Sequence, residues 1–289
     1  MDPSFDFLVE LPFANWSEFR GSVSERIKDA QSACLPKSAV EKYDFETRRY
    51  IFRGHACSSW PLWASFDRIF AQHKKLEDPR DVYEDFFRTF LVDSIRNGVN
   101  DDRDWIGVKR QDIMDRAKYP MEGLTKFESL ARHWGLPTRL LDWTWSVYVA
   151  AFFAFWREVD LVEDNVAIWA LDIDEAIRCF DESVAFIEEI YPGNQNRTAQ
   201  EGVYTINKSN VLRLDSLFMR GNARYRVTPK FPILFKCLLP RSGMDQIVRD
   251  LRQMRISPIK MFPGKDGLVL YYRQFLGDRL QSLEEQFED

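Results

Sequence analysis

Four groups of residues in this chain have types and spacings that suit chemistry. The first is Phe52-Arg53-Gly54-His55, at the end of the run Arg48–Arg53. An arginine there aims a planar fork at a phosphate or carboxylate, and the glycine lets a ligand approach the backbone. The same arginine would serve as well in a structural ion pair that closes a loop. The second group is Leu136-Pro137-Thr138-Arg139-Leu140-Leu141-Asp142-Trp143-Thr144, with Ser146 opening an apolar stretch behind it. Free N–H groups and hydroxyls at a helix entrance cradle anions, and simple N-capping by Thr144 or Ser146 is the plainer alternative. His133, just upstream, either orients a ligand or is a satisfied core histidine.

The third group is Arg197-Thr198-Ala199-Gln200-Glu201-Gly202-Val203-Tyr204. In a strand its side chains alternate, so only one of Gln200 and Glu201 faces a given cleft. A solvated Gln-Glu pair at a strand start is the bland alternative. The fourth is a basic segment from Lys208 to Lys230, with Arg213, Arg220, Arg224 and Arg226 and a single acidic residue, Asp215. It reads either as a site for a phosphate-bearing partner or single-stranded nucleic acid, or as a solvated face.

The elements that must position these groups follow from periodicity. Arg48–Arg53 reads as a strand. A helix capped by Ser17 runs to Ala30, with Phe19, Val23 and Ile27 at helical spacing. Further helices are expected over Asp81–Gly98, Arg110–Lys118, Thr125–Trp134 and Asp245–Met254. Val147–Trp156 is apolar nearly all round and is expected to be a buried helix. Leu140–Thr144, Val166–Leu171 and Gly202–Ile206 read as extended, and Lys260–Phe262 and Gly267–Tyr272 flank a Pro263-Gly264 turn. Strands and helices intersperse without a regular βαβ period, which predicts an α+β fold.

The bulk numbers bound the function. The chain's 289 residues, 45% hydrophobic, support a large core without disulfide or metal staples. A net charge of −5 argues against a protein that coats nucleic acid through global charge. The longest apolar run, Val147–Trp156, is too short to span a bilayer. The start, with Asp2, Asp6 and Glu10 and no basic stretch, does not read as a signal peptide. Cys34, Cys57, Cys179 and Cys237 lie far apart and read as reduced thiols, and the histidines show no metal spacing. A cytoplasmic protein with no metal and no membrane partner is expected.

Taken together, these motifs resemble the FRG domain, a family named for its Phe-Arg-Gly signature. Four stretches carry the resemblance in order: Phe52-Arg53-Gly54 with Trp60, Leu62, Ser65 and Arg68; His133 to Thr144; Arg197, Gln200, Gly202 and Tyr204; and Leu251–Gly267, with Met261-Phe262-Pro263 inside. The resemblance implies one FRG domain over 1–289, with its core over about 15–275 and a helical insertion over about 78–135. It also implies an order of elements similar to the ADP-ribosyltransferase fold, with a split mixed or antiparallel sheet surrounded by helices. By that analogy NAD is the substrate. Arg53 grips its pyrophosphate, Gln200 or Glu201 faces the scissile N-glycosidic bond, and Thr144 and Ser146 support the ribose. Gly54, His55, His133, Arg139, Asp142, Trp143 and Arg197 are further binding residues, and Trp143, Trp145 and Tyr148 stand near the nicotinamide. Many such transferases carry Gln or Glu, one residue, then Glu; here the third position is Gly202. The activity implied is mono-ADP-ribosyl transfer to a protein or nucleic-acid target, or NAD glycohydrolysis, in a toxin or anti-phage defence protein with an antitoxin or phage-derived partner. The alternative is a non-catalytic nucleotide- or partner-sensing module.

Overall fold

The computed structural model describes residues 6–40, 48–73, 78–98, 122–156, 164–188, 199–219 and 227–285. Its strands are β1 (Leu8–Pro12), β2 (Tyr50–His55), β3 (Leu140–Thr144), β4 (Asn165–Asp172), β5 (Val184–Ile187), β6 (Gly202–Asn207) and β7 (Leu234–Pro240). The described helices are α1 (Trp16–Ser32), α2 (Lys37–Val40), α3 (Ser65–Phe70), α4 (Pro79–Arg96), α5 (Glu122–His133), α6 (Val147–Phe155), α7 (Ile173–Phe180), α8 (Leu214–Leu217), α9 (Met244–Gln253), α10 (Pro258–Met261) and α11 (Lys265–Glu285). The fold is α+β. Among the described residues no helix is long and apolar enough to cross a membrane.

The strands form one open sheet in the order β1-β7-β4-β2-β3-β6-β5. Every neighbouring pair is antiparallel except β1 with β7, which is parallel. The sheet is continuous but nearly divided. β2 pairs with β4 along its whole length, from Tyr50↔Asp172 to His55↔Ala167. On its other side it meets β3 at the single pair Phe52↔Thr144. Beyond that pair the two strands part.

Alternation along the strands sorts the core into layers. Phe52, Ile168, Ala170, Phe235 and Cys237 face α1, α6 and α9, while Ile51, Leu141, Trp143, Trp169 and Leu171 face the opposite layer with α7. A third cluster, including Phe66, Tyr83, Phe87 and Phe127, holds α3, α4 and α5 together beside the sheet.

Several boundaries differ from expectation for local chemical reasons. Helix α1 is capped by Asn15, whose side chain accepts the Glu18 N–H at 2.9 Å, and not by Ser17. Helix α4 begins at Pro79 behind an Asp78 cap, because Pro at the first helical position has no N–H to satisfy. Lys260 and Met261 belong to α10, with Phe262 as its C-cap, and 267–272 is helical in α11; the two helices are separated by Gly264 at φ 104°. The helix expected over Arg110–Lys118 lies outside the described residues.

Candidate functional site

The parting of β2 from β3 opens a cleft of about 810 Å³, within the range of small-molecule and cofactor sites. Arg53 stands at its root, directly beyond the last pair that joins the two strands. Where β2 no longer reaches β3 through the backbone, Nη1 of Arg53 donates to the Asp142 carbonyl at 2.7 Å. Its Nε donates to Nε2 of His55 at 3.0 Å. Nη2 makes no hydrogen bond among the described residues and belongs to a side chain 20% exposed on the cleft wall. Burial pushes the Arg53 pKa down to about 10. Asp142 works against that shift, and Arg132 and Arg68 add to it. The guanidinium therefore stays charged at neutral pH.

His55 lines the cleft and supports the arginine, with both ring nitrogens engaged within the chain. Arginine cannot accept a hydrogen bond, so Nε2 of the imidazole must be the acceptor and the proton sits on Nδ1. That proton goes to the Trp60 carbonyl at 3.2 Å. Trp169 Nε1, also 3.2 Å from Nδ1, then faces a donor and is in contact only. Burial first, and the Arg53 charge second, hold the imidazole pKa well below the ordinary histidine value. The unfolded chain thus takes up this proton more readily. Stability from the neutral ring is present above the ordinary value and is lost as pH falls towards the folded one.

Gly54 has a packing role. It sits on the face of β2 turned to α6, and a Cβ there would lie 1.9 Å from the Ala150 carbonyl oxygen and 2.6 Å from Ala154 N. The helix backbone, not a ligand, takes the space that the missing side chain leaves. Gly54→Ala is expected to push α6 off the strand and destabilise the fold by ~3 kcal/mol, as measured by chemical denaturation.

Asp142 is held mainly by a residue that the sequence did not single out. Arg132, in the last turn of α5, donates Nε to Oδ1 at 2.9 Å and Nη2 to Oδ2. Arg53 Nη1 lies 3.6 Å from the same Oδ2. Burial opposes ionisation of Asp142, but the two guanidiniums outweigh it and hold the carboxyl below its usual range. One carboxylate therefore ties α5 to β3 and steadies Arg53. The helix expected over Thr125–Trp134 contains Arg132, but no local signal pairs Arg132 with a residue ten positions on.

Arg139 does not line the cleft. It is 1% exposed and donates Nε to Asp67 Oδ1 at 3.1 Å and Nη2 to the Ser209 carbonyl at 3.1 Å. It joins α3, β3 and the 209 loop from inside. His133 is exposed on the end of α5 and is also absent from the cleft wall. Arg197 lies outside the described residues.

The hydroxyls at the helix entrance are engaged in bracing. Thr144 Oγ1 donates to the Gln200 carbonyl at 2.7 Å and accepts from Ser146 N at 3.1 Å. Ser146 Oγ accepts from Val149 N at 3.3 Å and caps α6, so the capping alternative is the one observed. Thr144 reaches the cleft and Ser146 does not. Trp143 borders the cleft and packs into the core, with Nε1 donating to Thr205 Oγ1 at 2.9 Å. Trp145 packs on Phe186 and Tyr148 on Trp16, both away from the cleft.

Gln200 and Glu201 precede β6 in a turn, so strand alternation does not sort them; Glu201 has φ 49°. Gln200 lines the cleft and Glu201 is exposed. The Gln200 amide is oriented by Nε2 donating to the Met261 carbonyl at 2.8 Å. Its Oε1 carries no hydrogen bond among the described residues.

The remaining walls come from residues whose role the sequence did not expose. Trp60, Trp63, Phe153, Trp156 and Phe262 supply ring surface, and Arg68 adds a second guanidinium. In the basic segment, Lys208 donates to the Asp181 carbonyl and Arg213 pairs with Asp215. Arg220, Arg224 and Arg226 lie outside the described residues.

The fold and site thus define an α+β domain whose sheet parts at a charged, aromatic-walled cleft. Residues 48–161 match the family model of the FRG domain, and the chain carries an FRG domain over that stretch. The match includes Arg53, Asp142 and Thr144 and ends before Gln200. No curated protein and no solved structure matches the chain.

Proposed function

We propose that this chain binds NAD in the cleft between β2 and β3 and cleaves its nicotinamide–ribose bond, passing ADP-ribose to a macromolecule. One observation carries this proposal. Three sequence-distant groups, Arg53, Thr144 and Gln200, converge on one cleft. They are the groups that the resemblance to the ADP-ribosyltransferase fold assigns to phosphate, ribose support and the scissile bond.

The chemistry suits these residues. Nη2 of Arg53 offers two N–H groups to a pyrophosphate oxygen. The rings of Trp60, Trp63 and Phe153 offer apolar surface to nicotinamide or adenine. As the C1′–N bond breaks, its electron pair leaves with nicotinamide and positive charge grows on the ribose. An oriented amide oxygen stabilises that charge, and Gln200 Oε1 is such an oxygen. A nucleophile on the target then bonds to C1′ and its proton passes to solvent. Thr144 acts indirectly, by holding the Gln200 backbone.

Incubation with labelled NAD and cell lysate tests the reaction, with release of nicotinamide and transfer of label expected. Gln200→Ala is expected to lower turnover about 100-fold, whereas Glu201→Gln leaves it unchanged because that side chain faces solvent.

A second reading, a non-catalytic nucleotide sensor, is favoured by one observation: no carboxylate in the described cleft wall is free. Asp142 is paired with Arg132 and Arg53. Tight NAD binding with no nicotinamide released would establish the sensor and remove the transferase. A toxin or anti-phage role rests on the resemblance alone. The engaged Lys208 and Arg213 lend no support to a nucleic-acid target.

A further inference from the structure

Arg53 cannot hold a diphosphate alone. Two of its three nitrogens are committed, Nε to His55 and Nη1 to the Asp142 carbonyl. Nη2 is the nitrogen that makes no hydrogen bond among the described residues, and its two N–H groups suffice for the oxygens of one phosphate. Charge points the same way. Arg132 and Asp142 neutralise each other in a close pair, and Arg53 shares that carboxylate from 3.6 Å. Arg68, exposed at the cleft from α3, has no ion pair or hydrogen bond among the described residues. The cleft therefore keeps a surplus of positive charge that nothing in the described chain answers.

A second unmet group lies on the same segment. Nε1 of Trp63 is buried and has no hydrogen-bond partner among the described residues, although an indole N–H is a donor that burial leaves costly when unpaired. Trp63 and Arg68 both line the cleft, and an orphaned donor and an unpaired cation both call for acceptor oxygens.

We propose that Arg68 and the Trp63 N–H form a second anion subsite of the cleft, which takes the second phosphate of a diphosphate ester and so selects diphosphates over monophosphates. The subsite rests on the nucleotide reading above and adds the class of ligand to it. The influence of Arg68 on both Arg53 and His55, each of whose pKa it lowers, places its charge within electrostatic reach of the first subsite. Neighbouring cations that repel each other are stabilised together by one dianionic bridge.

Calorimetry on the full chain with NAD, ADP and AMP tests this. The wild type is expected to bind ADP more tightly than AMP. Arg68→Gln should weaken ADP about 10- to 100-fold while changing AMP little, so that the preference disappears. Trp63→Phe, which keeps the ring and removes the N–H, should weaken ADP about 10-fold. Arg68 is exposed, so its variant is expected to melt with the wild type, and differential scanning confirms that the fold is intact. An ADP preference that survives Arg68→Gln overturns the subsite. If NAD still binds and Arg53→Ala abolishes it, only the subsite falls. If the wild type binds none of the three ligands, the nucleotide reading falls with it.

Discussion

Arg53→Lys is expected to lose NAD affinity nearly as completely as Arg53→Ala, by about 10- to 100-fold. The reason is geometric. The guanidinium does three things at once: it donates to His55, it bridges to β3 through the Asp142 carbonyl, and it presents Nη2 to the cleft. A lysine ammonium carries the same charge but has no planar fork to point in three fixed directions. It would either follow the carbonyl and abandon the ligand, or do the reverse and leave the β2–β3 gap unbridged. Calorimetric titration of both variants decides the matter. Near-normal affinity in the lysine variant would mean that the site needs only a positive charge. Arg132→Ala would not give that result, since it leaves Arg53 in place and removes instead the partner that fixes Asp142.

The largest expected change in stability lies away from the cleft. Arg139→Ala should cost about 3–5 kcal/mol, because it strips the partner from a buried carboxylate. Arg139 and Asp67 are 1% and 2% exposed, and burial pushes the Asp67 carboxyl up to about 6 even with Arg139 opposing it. Without the guanidinium, Asp67 must stay protonated or recruit water, and α3 loses its tie to β3. Replacing both partners together, as Arg139→Met with Asp67→Leu, should recover most of the loss, since an apolar pair of similar volume carries no desolvation cost. Urea unfolding of the single and double variants reads this directly. Equal destabilisation by the single and double changes would mean that packing of the arginine stem, not the buried charge, sets the cost.

The strands and helices that carry the site were legible either as amphipathic periods or as continuous apolar runs bounded by polar and turn residues. Val166–Leu171, Gly202–Ile206 and the buried helix at Val147 all stand in the structure close to their expected bounds. The strands β1 and β5 escaped because they are short, and β7 because its apolar run, LFKCLLP, does not alternate. The parallel pairing of β1 with β7 joins residues more than two hundred positions apart, and local pattern carries no trace of such a partner. Of the site, Arg53 was legible as an arginine at a strand end, and Gln200 as one of two candidates. What decided between Gln200 and Glu201 was a positive φ in a turn, which breaks the alternation that a strand would impose. Arg139 shows the opposite failure. It stands in the most specific motif of the chain, yet the side chain turns inward to Asp67. A motif of this kind records which residues a fold needs without separating those that hold it together from those that meet a ligand. The glycine of Phe-Arg-Gly makes the same point, since the space it leaves is filled by the backbone of α6. Arg132 and Asp142 were both in view, but their pairing follows from the angle at which α5 meets β3.

A crystal structure with ADP-ribose bound tests the central claim most directly. The diphosphate is expected within hydrogen-bonding distance of Arg53 Nη2, in the gap where β2 and β3 separate, with the Gln200 amide oxygen beside the terminal ribose. A ligand seated elsewhere on the molecule, with the Arg53 guanidinium facing an empty cleft, would contradict it.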